Sequence, residues 1–263
     1  MSATYLDGII EFHRERVASD ERRWSARNVP SSTRASLRDA LVAHRPLGIA
    51  VIAEIKRRSP SKGWLAENLD AAETATAYLQ GGASAISVLT DETYFAGSLN
   101  DLRVVRDAVE LPLLRKDFTL SENDVLDAVE AGASAVLLIV AALGAGELAQ
   151  YLALAQHYCI EALVEIHTES EAEVALGLGA TLIGINQRDL HSFEVDSSRA
   201  ESLIATLPAS VVVVAESGFT RREAVARAAQ VGFDAVLVGE QFVTAFNIAD
   251  EVRSFGGFPR GAR

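Results

Sequence analysis

Six apolar stretches of this chain end on side chains that can move protons or hold charge. Glu54-Ile55-Lys56 closes one, Arg115-Lys116-Asp117 another, and Glu165 lies near the end of a third. Asn186-Gln187-Arg188, Glu216-Ser217-Gly218 and Gly239-Glu240 close the rest. Taken singly, each would be an ordinary solvated loop residue. Two lysines and two or three carboxylates at equivalent points of a ring would instead converge on one cavity. There their mutual charge interaction shifts pKa values, which is what acid–base chemistry requires. Alternation along a strand puts Glu54 and Lys56 on one face, so both can point inward. The turns Ser217-Gly218 and Gly239-Glu240 suit a second task, phosphate binding. Glycine lets backbone N–H groups approach the oxygens, and a helix start adds favourable dipoles. Ser59-Pro60-Ser61-Lys62-Gly63, just after the first stretch, has hydroxyls and a lysine that can close over the same phosphate.

These residues need a scaffold that brings strand ends together. Eight apolar, β-branched runs cover 50–55, 84–89, 111–115, 134–140, 161–166, 181–185, 210–215 and 234–238. They are apolar almost without interruption, as parallel strands covered on both faces must be. Between them lie helical patterns such as ENDVLDAVEAGA and TRREAVARAAQVG, several ending in the glycine of a helix C-cap. A Gly-containing phrase at 81–85, 131–135 and 231–235 makes a weak internal repeat. Eight β–α units without extra strands predict an α/β fold, a (β/α)8 TIM barrel, with its active site at the C-terminal strand ends. Residues 1–48 exceed what the barrel needs and read as an N-terminal helical extension of a single 1–263 domain. Its helices are expected over 4–19, which is amphipathic, and 33–43, which opens with serine capping candidates. The extension would pack on the barrel as a lid at its mouth.

Composition narrows the partners. With 24 basic and 36 acidic residues the net charge is −12. Nucleic acid and anionic membrane are excluded as partners, since both need a basic face. An anionic substrate would need a local positive cluster working against the overall field. No run of roughly 18 apolar residues is present, and the start lacks a secretory pattern, so a cytoplasmic location is expected. The single cysteine, Cys159, rules out an internal disulfide. Between a helical pattern and an apolar strand, it is expected to be a small buried packing residue.

The segments AEIKRRSPSKG (53–63), LRKDF (114–118), ALVEIH (162–167), LIGINQRDL (182–190), VVAESG (213–218) and DAVLVGE (234–240) together resemble the indole-3-glycerol phosphate synthase family. The likeness runs in order from about residue 48 to 254, and the opening LDGIIEFHRERV is similar to the family's start. The resemblance implies ring closure, decarboxylation and dehydration of 1-(2-carboxyphenylamino)-1-deoxyribulose 5-phosphate in tryptophan biosynthesis. It implies no metal or organic cofactor, and a small phosphorylated aromatic-sugar substrate as the one partner. The oligomeric state stays open, a monomer included. By motif, Lys116 would be the general acid at the substrate carbonyl. Lys56 would contact the anthranilate carboxylate, and Glu165 would be the second acid–base group. Glu54, Asn186 and Glu216 would orient the lysines and substrate hydroxyls, with Arg188 and Ser217 nearby. Ser59, Gly218 and Gly239, with Glu240 beside them, would form the phosphate site. Phe95, Phe118, Leu137 and Leu190 would wall the anthranilate ring.

Two positions depart from the pattern. Gln241 stands where serine is usual, and Arg58 where a small residue is. Glutamine caps a helix poorly, so both the cap of the last short helix and close approach to phosphate are expected to suffer. The departures leave open a paralogue serving a specialised pathway. Two other readings compete: an isomerase barrel such as phosphoribosylanthranilate isomerase, and a non-catalytic barrel. The first uses a Cys–Asp or Asp–Asp pair where this chain has Glu-Ile-Lys, and the second would tolerate losses at charged strand ends that all persist here. As a general acid, Lys116 is expected to work at a pKa depressed by neighbouring cations.

Overall fold

The computed structural model describes residues 5–27, 29, 34–188 and 194–263. The N-terminal segment forms α1 (Tyr5–Ala18) and α2 (Leu37–His44), and the chain then enters β1 (Ala50–Ile55). A two-stranded hairpin, β2 (Arg58–Ser59) and β3 (Gly63–Trp64), follows before α3 (Ala71–Gly81). The alternation continues with β4 (Ala85–Leu89), α4 (Glu92–Phe95), α5 (Leu99–Ala108), β5 (Leu113–Lys116) and α6 (Glu122–Glu130). Next come β6 (Ala135–Ile139), α7 (Ala145–His157), β7 (Glu161–Ile166), α8 (Glu169–Gly177) and β8 (Leu182–Asn186). The chain finishes with α9 (Ser197–Thr206), β9 (Val212–Glu216), α10 (Arg222–Val231), β10 (Ala235–Val238), α11 (Glu240–Val243) and α12 (Ile248–Phe255).

Each of the eight apolar runs becomes a strand, and all pair in parallel into a closed barrel in the order β1-β10-β9-β8-β7-β6-β5-β4. The run expected from 111 starts later, at Leu113, because Pro112 has no N–H to give the ladder. Helix starts are capped as the residue types dictate. Asp70, Ser98, Ser121, Thr168 and Asn247 each accept a hydrogen bond from the backbone N–H three residues on. Left-handed glycines at Gly82 and Gly232 turn α3 and α10 back into the barrel. Among the described residues no helix is long and apolar enough to cross a membrane.

The N-terminal segment serves both ends of the barrel. Ser36 caps α2, whose Leu37 and Leu41 are fully buried at the N-terminal strand ends; each contributes roughly 1.5–3 kcal/mol of apolar burial. There the fully buried Asp234 accepts from Arg45 Nε at 2.8 Å and from the Val213 N–H at 2.8 Å, with Arg260 Nε at 3.0 Å. α1 lies at the opposite end, joined to the barrel by Arg14–Glu147, Arg16–Asp124 and the buried His13–Asp91 pair. The region after it adds Arg22 and Arg27 on Asp127. Of the extension expected at the mouth, α1 thus lies there and α2 does not.

Cys159 departs from expectation. It is exposed, with φ 57°, at the point where the chain turns out of α7. The left-handed turn throws its side chain outward and lets Ile160 take the buried place.

Candidate active site

A cavity of about 520 Å³ opens at the C-terminal strand ends, a size suited to a small-molecule ligand. Its floor is ionic. Lys116, last residue of β5, directs Nζ to Glu165 Oε2 at 3.2 Å and to Glu216 Oε2 at 3.4 Å. Asn186, last residue of β8, donates to the other Glu165 oxygen at 3.1 Å. Glu54 and Lys56, two residues apart on one strand face, pair at 2.6 Å. Three carboxylates and two lysines thus arrive from β1, β5, β7 and β9, strands far apart in sequence.

This grouping sets the protonation states. Burial alone would depress the Lys116 pKa, but Glu165, Glu216 and Glu54 outweigh it and hold the ammonium well above its usual range. The expectation of a lysine depressed by cations is therefore corrected: its neighbours are carboxylates, and it stays charged. Burial also raises Glu165, yet Lys116, His167 and the Asn186 hydrogen bond win and leave its carboxyl below the usual value. For Glu216 burial prevails. Repulsion from Glu165 and Glu54 adds to it, Lys116 only partly offsets it, and the pKa is pushed up to about 8. Glu216 Oε1 is buried without a hydrogen-bond partner. Space for these carboxylates is made by glycine, since a Cβ on Gly184 would collide with Glu216 Oε1 and one on Gly239 with Glu54 Oε2.

The rim holds the turns singled out for phosphate. Ser217 and Gly218, both at positive φ, follow β9, and Gly239 and Glu240 follow β10. Opposite them the β2–β3 hairpin offers Ser59, Ser61 and Lys62, with Lys62 paired to Glu240. Arg58 explains itself here: its guanidinium lies over the Trp64 ring at 5.6 Å and donates to the carbonyls of Thr93 and Tyr94. It thereby ties the hairpin to α4, which carries Phe95. Gln241 turns away from the cavity and donates to Glu251 on α12 at 2.7 Å. The N-cap of α11 is Gly239, so position 241 lies inside that helix and is not its cap.

Of the residues expected at the site, Glu54, Lys56, Ser59, Phe95, Lys116, Phe118, Glu165, Asn186, Arg188, Glu216, Ser217, Gly218, Gly239 and Glu240 all line the cavity. Leu137 does not. It lies fully buried one inward-facing step deeper on β6, and Ile139 takes the wall position. Leu190 lies outside the described residues. Leu6 and Ile9 of α1, Leu89 of β4 and Leu237 of β10 complete the apolar wall. For Leu89 the signal was present, as the last apolar residue of its run. His13 stacks on Phe118 at 5.1 Å and so sets α1 against that wall. Among the described residues, His13, Asp91 and Asp117 stand close enough to share a cation. Their oxygens are already in use, since Asp91 caps α4 and Asp117 pairs with Arg115 at 2.8 Å.

The sequence profile described as "Indole-3-glycerol phosphate synthase" matches residues 6–255. Proteins of that name from Roseiflexus sp. (strain RS-1) and Mycobacteroides abscessus are 46% and 44% identical to this chain. The first match covers 94% of each chain, the second 99% of this chain and 93% of the relative. Among solved structures, thiamine phosphate pyrophosphorylase from Pyrococcus furiosus superposes with a TM-score of 0.60 at 15% identity, over 80% of this chain and 95% of that one. N-acetylmannosamine-6-phosphate 2-epimerase from Clostridium perfringens gives 0.59 at 16%, over 80% and 93%. These distant structures share the barrel, whereas the close relatives share the sequence from end to end. The chain belongs to the indole-3-glycerol phosphate synthase family.

Proposed function

We propose that the ionic floor of the cavity divides the family's chemistry among Lys116, Lys56, Glu165 and Glu216. The chain is a carboxy-lyase of tryptophan biosynthesis acting on a small phosphorylated substrate. Its substrate in our reading is 1-(2-carboxyphenylamino)-1-deoxyribulose 5-phosphate, which it meets in the cytoplasm. Lys116, kept as an ammonium by its carboxylate neighbours, gives a proton to the substrate's keto oxygen as the ring closes. Lys56, steered by Glu54, meets the aromatic carboxylate and holds it until carbon dioxide leaves. Glu165, ionised, accepts the proton from the carbon next to the departing hydroxyl. Glu216, still protonated at neutral pH, donates a hydrogen bond to a sugar hydroxyl. Phe95 and Phe118 sandwich the anthranilate ring. The single observation that carries this reading is Lys116 Nζ standing within 3.2 Å of Glu165 and 3.4 Å of Glu216. Fluorescence detection of indole-3-glycerol phosphate formed from the carboxyphenylamino-ribulose phosphate tests it. No product over a no-enzyme control would reject it.

Two results are expected along the way. Because Glu216 loses its proton as pH rises through about 8, turnover should fall on that limb. Glu216→Gln cannot ionise, and its residual activity should lose this limb. If the limb is unchanged in the glutamine variant, another group causes it. At the rim, the Ser217-Gly218 and Gly239-Glu240 turns hold the phosphate with Ser59 and Lys62. Inorganic phosphate should then inhibit competitively, and Lys62→Ala should weaken that inhibition severalfold. Equal inhibition in both proteins would remove Lys62 from the site.

A further inference from the structure

His167 follows β7 directly and does not reach the cavity. It stands behind Glu165, with Nε2 3.7 Å from Glu165 Oε1, while Nδ1 lies 3.5 Å from Glu171 Oε2. Both ring nitrogens are buried without a hydrogen-bond partner. Glu171 belongs to the first turn of α8 and its side chain is 19% exposed. The His167 N–H itself holds Glu171 Oε2 at 2.6 Å, so carboxylate and imidazole stay in register. A line of titratable groups therefore leads from the cavity floor to solvent through the wall of the barrel.

The reaction supplies the reason for such a line. Ring closure puts one proton on the keto oxygen, and expulsion of that oxygen as water takes a second. Aromatisation returns one from the neighbouring carbon. The carboxylate departs as neutral carbon dioxide, leaving its bonding electrons with the ring. Each turnover therefore consumes one proton from solvent, while the substrate fills the cavity beneath Leu6 and Ile9.

We infer that His167 is a positioning residue acting through Glu165, and that the Glu171–His167–Glu165 line delivers this proton to the active site. The inference rests on the acid–base role given to Glu165 above. A proton reaches Glu171 from water, passes to Nδ1, and leaves from Nε2 to Glu165 Oε1. Both gaps are longer than a hydrogen bond, so transfer needs the ring or the carboxylates to move by several tenths of an ångström. The charged groups facing His167 are Glu165 on its own strand, Glu171 on α8 and Glu216 on β9, with Lys116 beyond Glu165. Burial disfavours charge on the ring, but Glu171, Glu165 and Glu216 outweigh it and raise its pKa. The imidazole thus takes up a proton readily.

The test is steady-state kinetics of His167→Gln and Glu171→Gln across neutral and mildly alkaline pH, and of His167→Gly with and without added imidazole. Glutamine preserves polarity and size but cannot pass a proton. In His167→Gln, kcat should fall at least about fivefold, a modest share of a general acid–base contribution. The loss should deepen as pH rises and KM should hold, while in His167→Gly, which leaves room for the ring, imidazole should restore much of the rate. Glu171→Gln should change in the same direction by less. Parental kcat and pH profile in His167→Gln would overturn the proposal. A raised KM in His167→Gln, with no response of His167→Gly to imidazole, would also overturn it by showing that the ring merely packs. If His167→Gln fails to fold, the stable Glu171→Gln variant decides by the same readouts. Glu165→Gln separates the premise, since near-parental turnover there removes Glu165 from the mechanism whatever His167 does.

Discussion

Lys116→Ala is expected to lower turnover by at least about a hundredfold, the smaller end of what a general acid contributes. That corresponds to about 2.7 kcal/mol of lost transition-state stabilisation. Among the described residues, Lys116 is the one lysine or arginine in salt-bridge contact with both Glu165 and Glu216. Its removal deletes the proton donor and leaves the buried Glu165 carboxylate without its cation, beside the protonated Glu216. Glu165 answers by binding a proton, because a buried charge without a partner is costly. Glu165 then loses its capacity as a base, so the variant should be worse than loss of the ammonium alone implies. Lys116→Met, which keeps the side-chain volume, should behave alike. The barrel should stay folded, since the strand-end side chain contributes little to the apolar core; circular dichroism checks this. Turnover within about tenfold of the parent would remove Lys116 from the general-acid role.

The second large effect lies at the other end of the barrel and should leave catalysis intact. Asp234→Ala is expected to destabilise the protein by about 3–5 kcal/mol, the usual cost of breaking a buried ion pair from one side. Asp234 is fully buried, and around it lie Arg45 from the N-terminal segment and Arg260 and Arg263 from the C-terminus. Without the carboxylate, partly buried guanidinium groups repel one another and the Val213 N–H loses its acceptor. At roughly 2–4 °C per kcal/mol for a chain of this size, the melting temperature should drop by about 6 °C or more. At low temperature kcat should remain near that of the parent, because the cavity is at the opposite end. An unchanged melting temperature would show that water replaces the carboxylate without cost.

What could be read from the sequence, and what could not, follows the range of the interactions involved. Strands such as Ala135–Ile139 were legible because a parallel strand covered on both faces must be apolar throughout. Glu54 and Lys56 were placed together because period-2 alternation is local. Leu137 was given the correct face but the wrong depth, as strand tilt and stagger decide which inward layer meets the cavity. The direction of the Lys116 pKa shift was inverted for a related reason. Its neighbours Glu165 and Glu216 come from β7 and β9, and their approach depends on barrel closure. Gln241 looked like a defect in a cap because helix starts are uncertain by a residue, and Gly239 holds the N-cap position. Leu6 and Ile9 could be seen as one apolar helix face, but which surface they cover depends on docking across the whole chain.

The helix that bears Leu6 and Ile9 is held by different forces from the barrel beneath it. Arg14 and Arg16 of α1 reach Glu147 and Asp124 through partly exposed guanidinium groups, whereas the strands are sealed by buried aliphatic side chains. Ionic strength screens the first kind of bond and leaves the second largely untouched. Salt therefore acts on this protein unevenly, loosening the roof while the walls stand. A ligand that fills the cavity touches both, so part of its affinity is the free energy of keeping α1 seated. KM is thereby linked to arginines that never meet the substrate.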